Sequence, residues 1–185
     1  MKNLFFILIA SFIAACNPRP DTIASSPESP VLAVANEPEK FMLAAEQYNK
    51  YLPLLEGKKV GMVTNVTAQI DGRHVVDILI EKGVSIKAIY GPEHGFRGDS
   101  EDGAKIEDGV DSKTGIPIFS LYGKNRKPTP EMMEGIEVMV FDIQDVGARF
   151  YTFISTMHYA MEAAAEANIP FIVLDRPNPN GNYAD

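Results

Sequence analysis

Four ionisable side chains fall within seven residues of one another in the loop that follows an apolar run at 86–90. They are Glu93, His94, Arg97 and Asp99, and glycines at positions 95 and 98 separate them. Glycine permits positive φ and close approach of the backbone, so the pattern predicts a tight, shaped loop rather than the start of a helix. Carboxylate, imidazole and guanidinium groups serve acid–base catalysis and anion binding. We therefore interpret residues 86–99 as a strand that leads into an active-site loop.

Further polar side chains follow the other predicted strands. If these strands are parallel, their carboxyl ends share one edge of the sheet, where open α/β sheets bind ligands. The additional candidates at this edge are Thr64, Asn65, Tyr122, Lys124, Asp142, Gln144, Asp145, Arg149, Asp175, Arg176 and Asn178. Polar groups that converge from at least four strand ends are stronger evidence for a site than any single motif.

Several of these candidates also have a structural interpretation. Glu93 could pair with Arg97 and stiffen the loop. Asp142 and Asp145 could cap the following helix or pair with Arg149, since arginine–carboxylate pairs commonly lock loops. The sequence leaves these alternatives open.

The remaining charged candidates are equally ambiguous. Asp175 and Arg176 could form an internal pair, or the arginine could hold a substrate carboxylate, as Arg97 and Arg149 could. His94 could contact the substrate or make a structural hydrogen bond. His74 and His158 lie in predicted helices and are expected to be surface or packing residues.

The sequence lacks the signatures of several other chemistries. It has no Gly-x-Ser-x-Gly elbow, no glycine-rich phosphate turn and no Walker motif. His94 has no second histidine at metal-ligand spacing, so we do not expect a zinc site. No cofactor is expected either. Carboxylate chemistry remains, and glycoside hydrolysis uses one carboxylic acid with a second group as base or nucleophile. Glu93 together with Asp142, Asp145 or Asp175 could supply that pair.

Apolar periodicity predicts the elements that position these residues. Helices are predicted at 41–55, 74–82, 129–134 and 150–167, and strands at 59–65, 86–90, 116–120, 137–143 and 171–174. Short apolar strands that alternate with helices indicate βαβ units. The expected fold is therefore a Rossmann-like three-layer α/β/α domain with a mostly parallel sheet.

The first 16 residues have the pattern of an export signal. Lys2 precedes an apolar run at 4–15, which is too short to span a bilayer, and Ile13-Ala14-Ala15-Cys16 resembles the lipobox of bacterial lipoproteins. We expect a signal peptide over 1–16 and lipidation of Cys16, the only cysteine. Acyl chains there would anchor an exported protein to a membrane, on its periplasmic or cell-surface side. An ordinary cleaved secretory signal is the alternative.

The composition beyond the signal separates a tether from a domain. Residues 17–38 are rich in Pro, Ser, Ala and Glu without apolar periodicity, which predicts a disordered tether. The folded domain is expected over 39–185. The formal net charge of −8 argues against nucleic acid as a partner, because nucleic-acid binding requires a basic face.

Six longer stretches identify a family by resemblance. They are Gly-Lys-Lys-Val-Gly-Met-Val-Thr-Asn at 57–65, Gly-Pro-Glu-His-Gly-Phe-Arg-Gly at 91–98, Ser-Leu-Tyr-Gly at 120–123, Phe-Asp-Ile-Gln-Asp-Val-Gly at 141–147, Arg-Phe-Tyr-Thr at 149–152 and Leu-Asp-Arg-Pro-Asn-Pro at 174–179. In this order they resemble the DUF1343 family, which includes the NamZ exo-β-N-acetylmuramidases. The resemblance spans about residues 52–181.

The resemblance implies a glycosidase that releases non-reducing terminal N-acetylmuramic acid from peptidoglycan fragments in cell-wall turnover or recycling. Glu93, in the Gly-Pro-Glu-His-Gly motif, matches the family's leading catalytic candidate. The other catalytic candidates are His94, Asp142 and Asp145, and the substrate-binding candidates are Asn65, Arg97, Arg149, Tyr151, Asp175, Arg176 and Asn178. The expected partners are muropeptides or disaccharides derived from peptidoglycan, whose lactyl carboxylate the arginines could bind.

Members of the family also carry a C-terminal domain, and their active cleft lies between the two domains. This chain resembles the N-terminal part alone, so we expect a truncated domain that is inactive or incomplete by itself. One alternative is a non-catalytic lipoprotein that binds muropeptides in the same cleft. A sugar-phosphate or nucleotide enzyme on a similar sheet is disfavoured because no phosphate loop is present.

Overall fold

A six-stranded sheet forms the centre of the fold. The computed structural model describes residues 41–92, 96–97 and 108–181. Within these ranges the strands are β1 (Lys59–Thr64), β2 (Gln69–Ile70), β3 (Arg73–His74), β4 (Ser85–Gly91), β5 (Gly109–Val110), β6 (Pro117–Ser120), β7 (Val138–Asp142) and β8 (Phe171–Val173). The helices are α1 (Tyr48–Leu55), α2 (Val75–Glu81) and α3 (Phe153–Glu166), with a short 3₁₀ helix at Ala44–Glu46.

The order of the strands is that of a doubly wound sheet. It reads β5-β6-β4-β1-β7-β8, and each pair is parallel except β5 with β6. The chain adds β4 and β6 on one side of β1 and then β7 and β8 on the other. The strand order therefore reverses between β1 and β7, where Thr64 lies opposite Asp142. The crevice at the carboxyl ends of these two strands is where such sheets bind ligands.

Helices cover both faces of this sheet, which explains why its central strands are apolar throughout. Every residue of β7 is buried, as is every residue of β1 after Lys59. Val60 and Val140 pack towards α1 and α2 on one face, whereas Val63 and Phe141 pack towards α3 on the other. A parallel sheet that is buried on both faces requires such continuous apolar runs. The predicted three-layer α/β fold is confirmed.

Two helices follow the sequence pattern closely. His74 caps α2 with its side chain, and Gly83, at φ +84°, lies just beyond the end of that helix. In α3 the small residues Ala160, Ala163 and Ala164 are buried and permit close packing against the sheet. None of the helices in the described ranges is long and apolar enough to cross a bilayer.

Other predicted elements differ in the structure. The predicted helix at 41–55 is interrupted at Gln47, whose φ and ψ of −84° and 55° are not helical. The predicted helix at 129–134 is wrong: this segment forms turns, with Met132 and Met133 both buried and Gly135 at φ +69°. Strands β2, β3 and β5 were not predicted, because two residues are too few to show alternation.

Candidate active site

The carboxyl edge of the sheet brings together the loops that carry the candidates. Glu93, His94 and the lipidation candidate Cys16 lie outside the described residues. The strand that leads towards Glu93 is β4, and the carbonyl of its last residue, Gly91, accepts a hydrogen bond from the Leu121 N–H at 2.8 Å. The chain after β4 therefore starts beside the loop that follows β6.

Asp142 and Arg176 form a buried, bidentate ion pair at the crevice between the carboxyl ends of β1 and β7. Arg176 Nε lies 2.5 Å from Asp142 Oδ1, and Nη2 lies 3.1 Å from Oδ2. Arg176 Nη1 donates to the Gln69 carbonyl at 3.1 Å. Burial raises the pKa of Asp142, and the guanidinium opposes that rise. The pair ties the loop after β8 to β7 and to the β2–β3 hairpin, and Arg176 pairs with Asp142 rather than with its neighbour Asp175.

Arg97 is held by two aspartates. It reaches Asp111 with Nε at 2.7 Å and with Nη2 at 2.8 Å, and it reaches Asp77 on α2 at 3.0 and 3.3 Å. The hydrogen bonds that Arg97 donates to Asp111 lower the pKa of Asp111 to about 2, and the same bonds raise the pKa of Arg97. Lys113 adds a second cation to Asp77 at 2.7 Å. These ion pairs attach residues 96–97 to α2 through Asp77.

Asn65 is buried at the end of β1, and its contacts fix the turn that follows. Its Oδ1 accepts hydrogen bonds from the backbone N–H and the hydroxyl of Thr67, at 3.0 and 2.6 Å. His74 Nδ1 accepts the Val76 N–H, so Nε2 carries the ring proton and donates it to the Asn65 carbonyl at 2.9 Å. Burial lowers the pKa of His74, consistent with a neutral ring. His74 therefore positions the site edge, a role that its place in a predicted helix did not indicate.

The loops after β7 and β8 form a continuous rim. Gln144 Nε2 donates to the Pro177 carbonyl at 2.9 Å, and the Gln144 N–H donates to Thr67 Oγ1 at 2.9 Å. Asn180 Nδ2 donates to the Val146 carbonyl at 2.9 Å. Together these bonds join the loops after β1, β7 and β8 at the carboxyl edge of the sheet.

Two predicted carboxylates line a groove beside this rim. The groove has a volume of about 200 Å³, and Asp145 and Asp175 lie at its edge. Its apolar lining consists of Phe141, Ile143, Phe153, Ile154, Met157, Val173 and Leu174. Asp145 Oδ2 accepts the Gly147 N–H at 2.9 Å, and Asp175 is exposed. Both carboxylates are thus more accessible than Asp142.

The other predicted substrate-binding residues lie on the surface. Arg149 and Asn178 are exposed, and the Tyr151 ring lies beside those of Phe150 and Phe153, with centroids 5.3 and 6.0 Å away and ring planes tilted by 37° and 56°. Within the described ranges no carboxylate forms an ion pair with Arg149. These side chains are open to a ligand at the carboxyl edge.

A second pocket, of about 190 Å³, lies between the loop after β6 and the start of α3. Its lining consists of Leu121, Tyr122, Arg126, Thr152, Ser155, Thr156 and Tyr159. Tyr122 was among the predicted strand-end residues, but Arg126 was not. The sequence feature that could have identified Arg126 as a site residue is its basic side chain in a loop that follows a predicted strand.

The described residues also bear on metal binding and on unsatisfied groups. In the ranges that the structure describes, no three His, Cys, Asp or Glu side chains are grouped as metal ligands. Thr64 Oγ1, at the end of β1, is buried and has no hydrogen-bond partner among these residues. It lies opposite Asp142 at the reversal of the strand order.

Comparisons with known proteins point in one direction. The family described as "Exo-beta-N-acetylmuramidase NamZ, N-terminal" matches residues 60–185. The chain is 53% identical over 133 residues to the peptidoglycan beta-N-acetylmuramidase NamZ of Bacillus subtilis (strain 168), a match that covers 71% of this chain and 32% of that protein. The chain therefore spans about a third of the length of this relative.

Two solved structures of DUF1343 proteins from Bacteroides fragilis share the fold. One is 51% identical with a TM-score of 0.69, and the match covers 77% of this chain and 36% of that one. The other is 42% identical with a TM-score of 0.67, with coverages of 78% and 37%.

Proposed function

This chain belongs to the NamZ N-terminal family, within DUF1343, and from that membership we propose that it is the N-terminal part of a glycosidase acting on peptidoglycan. The reaction would release terminal N-acetylmuramic acid from peptidoglycan fragments. The observation that carries the proposal is the 53% identity to a curated peptidoglycan β-N-acetylmuramidase. The doubly wound sheet supports it, because its carboxyl edge collects the polar loops at the point where such folds bind ligands.

Glu93 is the proposed general acid. It follows the last residue of β4 by two positions, and β4 lies between β1 and β6 in the sheet. A carboxylic acid would protonate the leaving glycosidic oxygen, while a second group serves as base or nucleophile on the other side of the sugar. His94, the next residue, is proposed to assist at the same position.

Asp145 is the proposed second carboxylate, because the structure leaves it accessible. Asp142 is fully buried, and both of its oxygens face Arg176, so we assign it to positioning the rim. Asp145 shares its groove with Asp175, whose exposed carboxylate could bind a sugar hydroxyl. The accessible side chains of Arg149, Tyr151 and Asn178 would complete the binding surface.

The role of Glu93 can be tested with Glu93→Gln in the longest gene product that carries this chain and in the 185-residue chain itself. The substrate would be a disaccharide with N-acetylmuramic acid linked to N-acetylglucosamine, because its sugar leaving group, unlike nitrophenolate, must be protonated as the bond breaks. Glutamine keeps the shape of the side chain but cannot donate a proton, so kcat should fall about 10²–10⁴-fold with little change in KM. Glu56→Gln, at the opposite edge of the sheet, is the matched control. Turnover equal to wild type in Glu93→Gln would remove Glu93 from the mechanism.

A second candidate function is binding without cleavage. It is favoured by one observation: Asp142, a candidate catalytic carboxylate, is neutralised in a buried ion pair. The same preparations would then bind muropeptides without releasing product, and Glu93→Gln would leave that binding intact.

We also propose that Cys16 carries acyl chains that hold the exported protein at a membrane surface. The support is the lipobox-like end of the apolar run and the absence of any other cysteine in the sequence.

A further inference from the structure

We propose that the pocket between the loop after β6 and the start of α3 binds the lactyl carboxylate of N-acetylmuramic acid, with Arg126 as its cation. The inference rests on the proposed function and names the subsite that would distinguish this sugar from N-acetylglucosamine. The two sugars differ by the lactyl ether, so only a group that recognises a carboxylate can separate them by charge.

Two of the arginines expected to bind this carboxylate are already occupied. Arg176 directs all three of its nitrogens at Asp142 and the Gln69 carbonyl and is buried. Arg97 makes four hydrogen bonds to Asp77 and Asp111. A ligand that recruited either arginine would leave a buried carboxylate without its partner, which is costly.

Arg126 is in a different situation. Within the described ranges no carboxylate forms an ion pair with it, and its side chain is exposed at the pocket. The next residue, Lys127, is compensated by Glu162 and Glu166 at 3.2 and 2.7 Å. Arg126 therefore contributes a positive charge to the pocket, and guanidinium binds a carboxylate through paired N–H donors.

The rest of the lining suits one end of a sugar. Thr152, Ser155 and Tyr159 supply hydroxyl groups, and Tyr159 adds an aromatic face. The side chain of Thr152, the N-cap residue of α3, makes no capping hydrogen bond, and the N–H groups of a helix's first turn favour an anion nearby. The volume of about 190 Å³ is below the range of about 300–1,000 Å³ that is usual for whole ligands, so the pocket suits one arm of a larger substrate.

The pocket is connected to the strand that leads to the proposed acid. Leu121 lines it, and the Leu121 N–H donates to the carbonyl of Gly91, the last residue of β4. Gly91 precedes Glu93 by two positions in the sequence. Occupation of the pocket by the lactyl arm would thus place the sugar beside the end of β4.

Binding can be measured on the ¹⁵N-labelled 185-residue chain by titration with N-acetylmuramic acid and, separately, with N-acetylglucosamine. N-acetylmuramic acid should shift amide signals in the first turn of α3, and Arg126→Gln should weaken its binding about tenfold or more, as expected for loss of a hydrogen bond to a charged group. N-acetylglucosamine should bind more weakly and be insensitive to the substitution. Lys50→Gln removes the same charge from the exposed face of α1, outside the pocket, and should change the affinity less than about twofold. Arg126→Lys keeps the positive charge and should therefore retain part of the wild-type affinity for N-acetylmuramic acid.

Three outcomes would overturn the inference. One is unchanged affinity for N-acetylmuramic acid in Arg126→Gln with its amide spectrum otherwise intact. Another is equal affinity for the two sugars in wild type, and the third is a response to inorganic phosphate with none to N-acetylmuramic acid.

Hydrolysis assays separate this inference from the proposed function. If Arg126→Gln hydrolysed the substrate at the wild-type rate and with the wild-type KM, the proposed subsite would be wrong. The proposed glycosidase activity would be supported. Arg126-dependent binding without any hydrolysis by the longest gene product would support the subsite and overturn the glycosidase.

Discussion

Asp142 has no solvent-exposed surface, and its charge is compensated only by Arg176 among the described residues. The ion pair joins elements that are far apart in the sequence: β7, the loop after β8 and, through Gln69, the hairpin after β1. Removing one partner of such a pair costs more than the pair contributes, because the remaining charge stays buried. We therefore regard Asp142 as a residue whose loss affects the rim as a whole.

Asp142→Asn should lower the free energy of unfolding by about 3 kcal/mol, since Arg176 would remain buried without a counter-charge. Urea unfolding followed by circular dichroism measures this change. Asp175→Asn is the control: its carboxylate is exposed, so the effect should stay within about 0.5 kcal/mol. A loss below about 1 kcal/mol in Asp142→Asn would mean that the pair contributes little.

At this scale the sequence indicated residue types but not partners. It placed Arg97 and Arg176 at the carboxyl edge, and both lie there. It could not show that Asp77 and Asp111 hold Arg97, because those contacts span 20 and 14 residues and depend on how α2 packs. An aspartate within the apolar run of α2 was the one available signal.

At the scale of elements, the strands were predictable because each is a short apolar run. All five parallel strands were predicted within two residues of their observed ends. The turn at 129–134 was not, because a cap and a proline are typical of a helix start. There the burial of Met132 and Met133 takes precedence over local propensity.

The contact between two rim loops depends on a glycine. Gly147 has φ +70°, and a Cβ added there would overlap the side-chain amide of Asn178. The backbone at Gly147 therefore lies closer to the Asn178 side chain than a residue with a Cβ would allow without a shift of that side chain.

Gly147→Ala should lower the free energy of unfolding by about 0.5–1 kcal/mol more than Gly72→Ala does, because the Asn178 amide must move and give up the hydrogen bond that its Oδ1 accepts from the Asn180 N–H. Both glycines have a positive φ, of 70° and 74°, so the conformational cost of about 1–2 kcal/mol is shared. Only Gly147 has a neighbour that must move, because nothing lies within 4 Å of a Cβ at Gly72. Equal urea midpoints for the two variants would show that the Asn178 side chain moves without cost.

At the scale of the whole molecule, the described domain relates to the proposed chemistry, and the N-terminal sequence pattern relates to the proposed location. The fold places candidate residues at one edge of a sheet. The sequence of the first 16 residues is the basis of the proposed membrane anchor. A membrane surface would keep the proposed enzyme close to cell-wall fragments while leaving its domain in water.

Cys16→Ser should move the protein from the membrane fraction to the soluble exported fraction, because the hydroxyl cannot carry the thioether-linked lipid. Cell fractionation combined with metabolic labelling by an alkyne fatty acid would detect the change. Ser25→Ala, in the predicted tether, should leave both readouts unaltered. Retention of label and membrane association in Cys16→Ser would exclude lipidation at this cysteine.

The hydrogen bond from Arg176 to the Gln69 carbonyl limits how early the domain can finish folding while the chain is being synthesised. The two residues are 107 positions apart, and β1 gains its second neighbour, β7, only when residues 138–142 have been made. Contacts of such long sequence separation form slowly. The six-stranded sheet and the hydrogen bond from Arg176 therefore cannot be completed until residues up to 176 have been synthesised. For a chain exported as proposed, this delay would favour the unfolded, translocation-competent form that a secretion channel accepts.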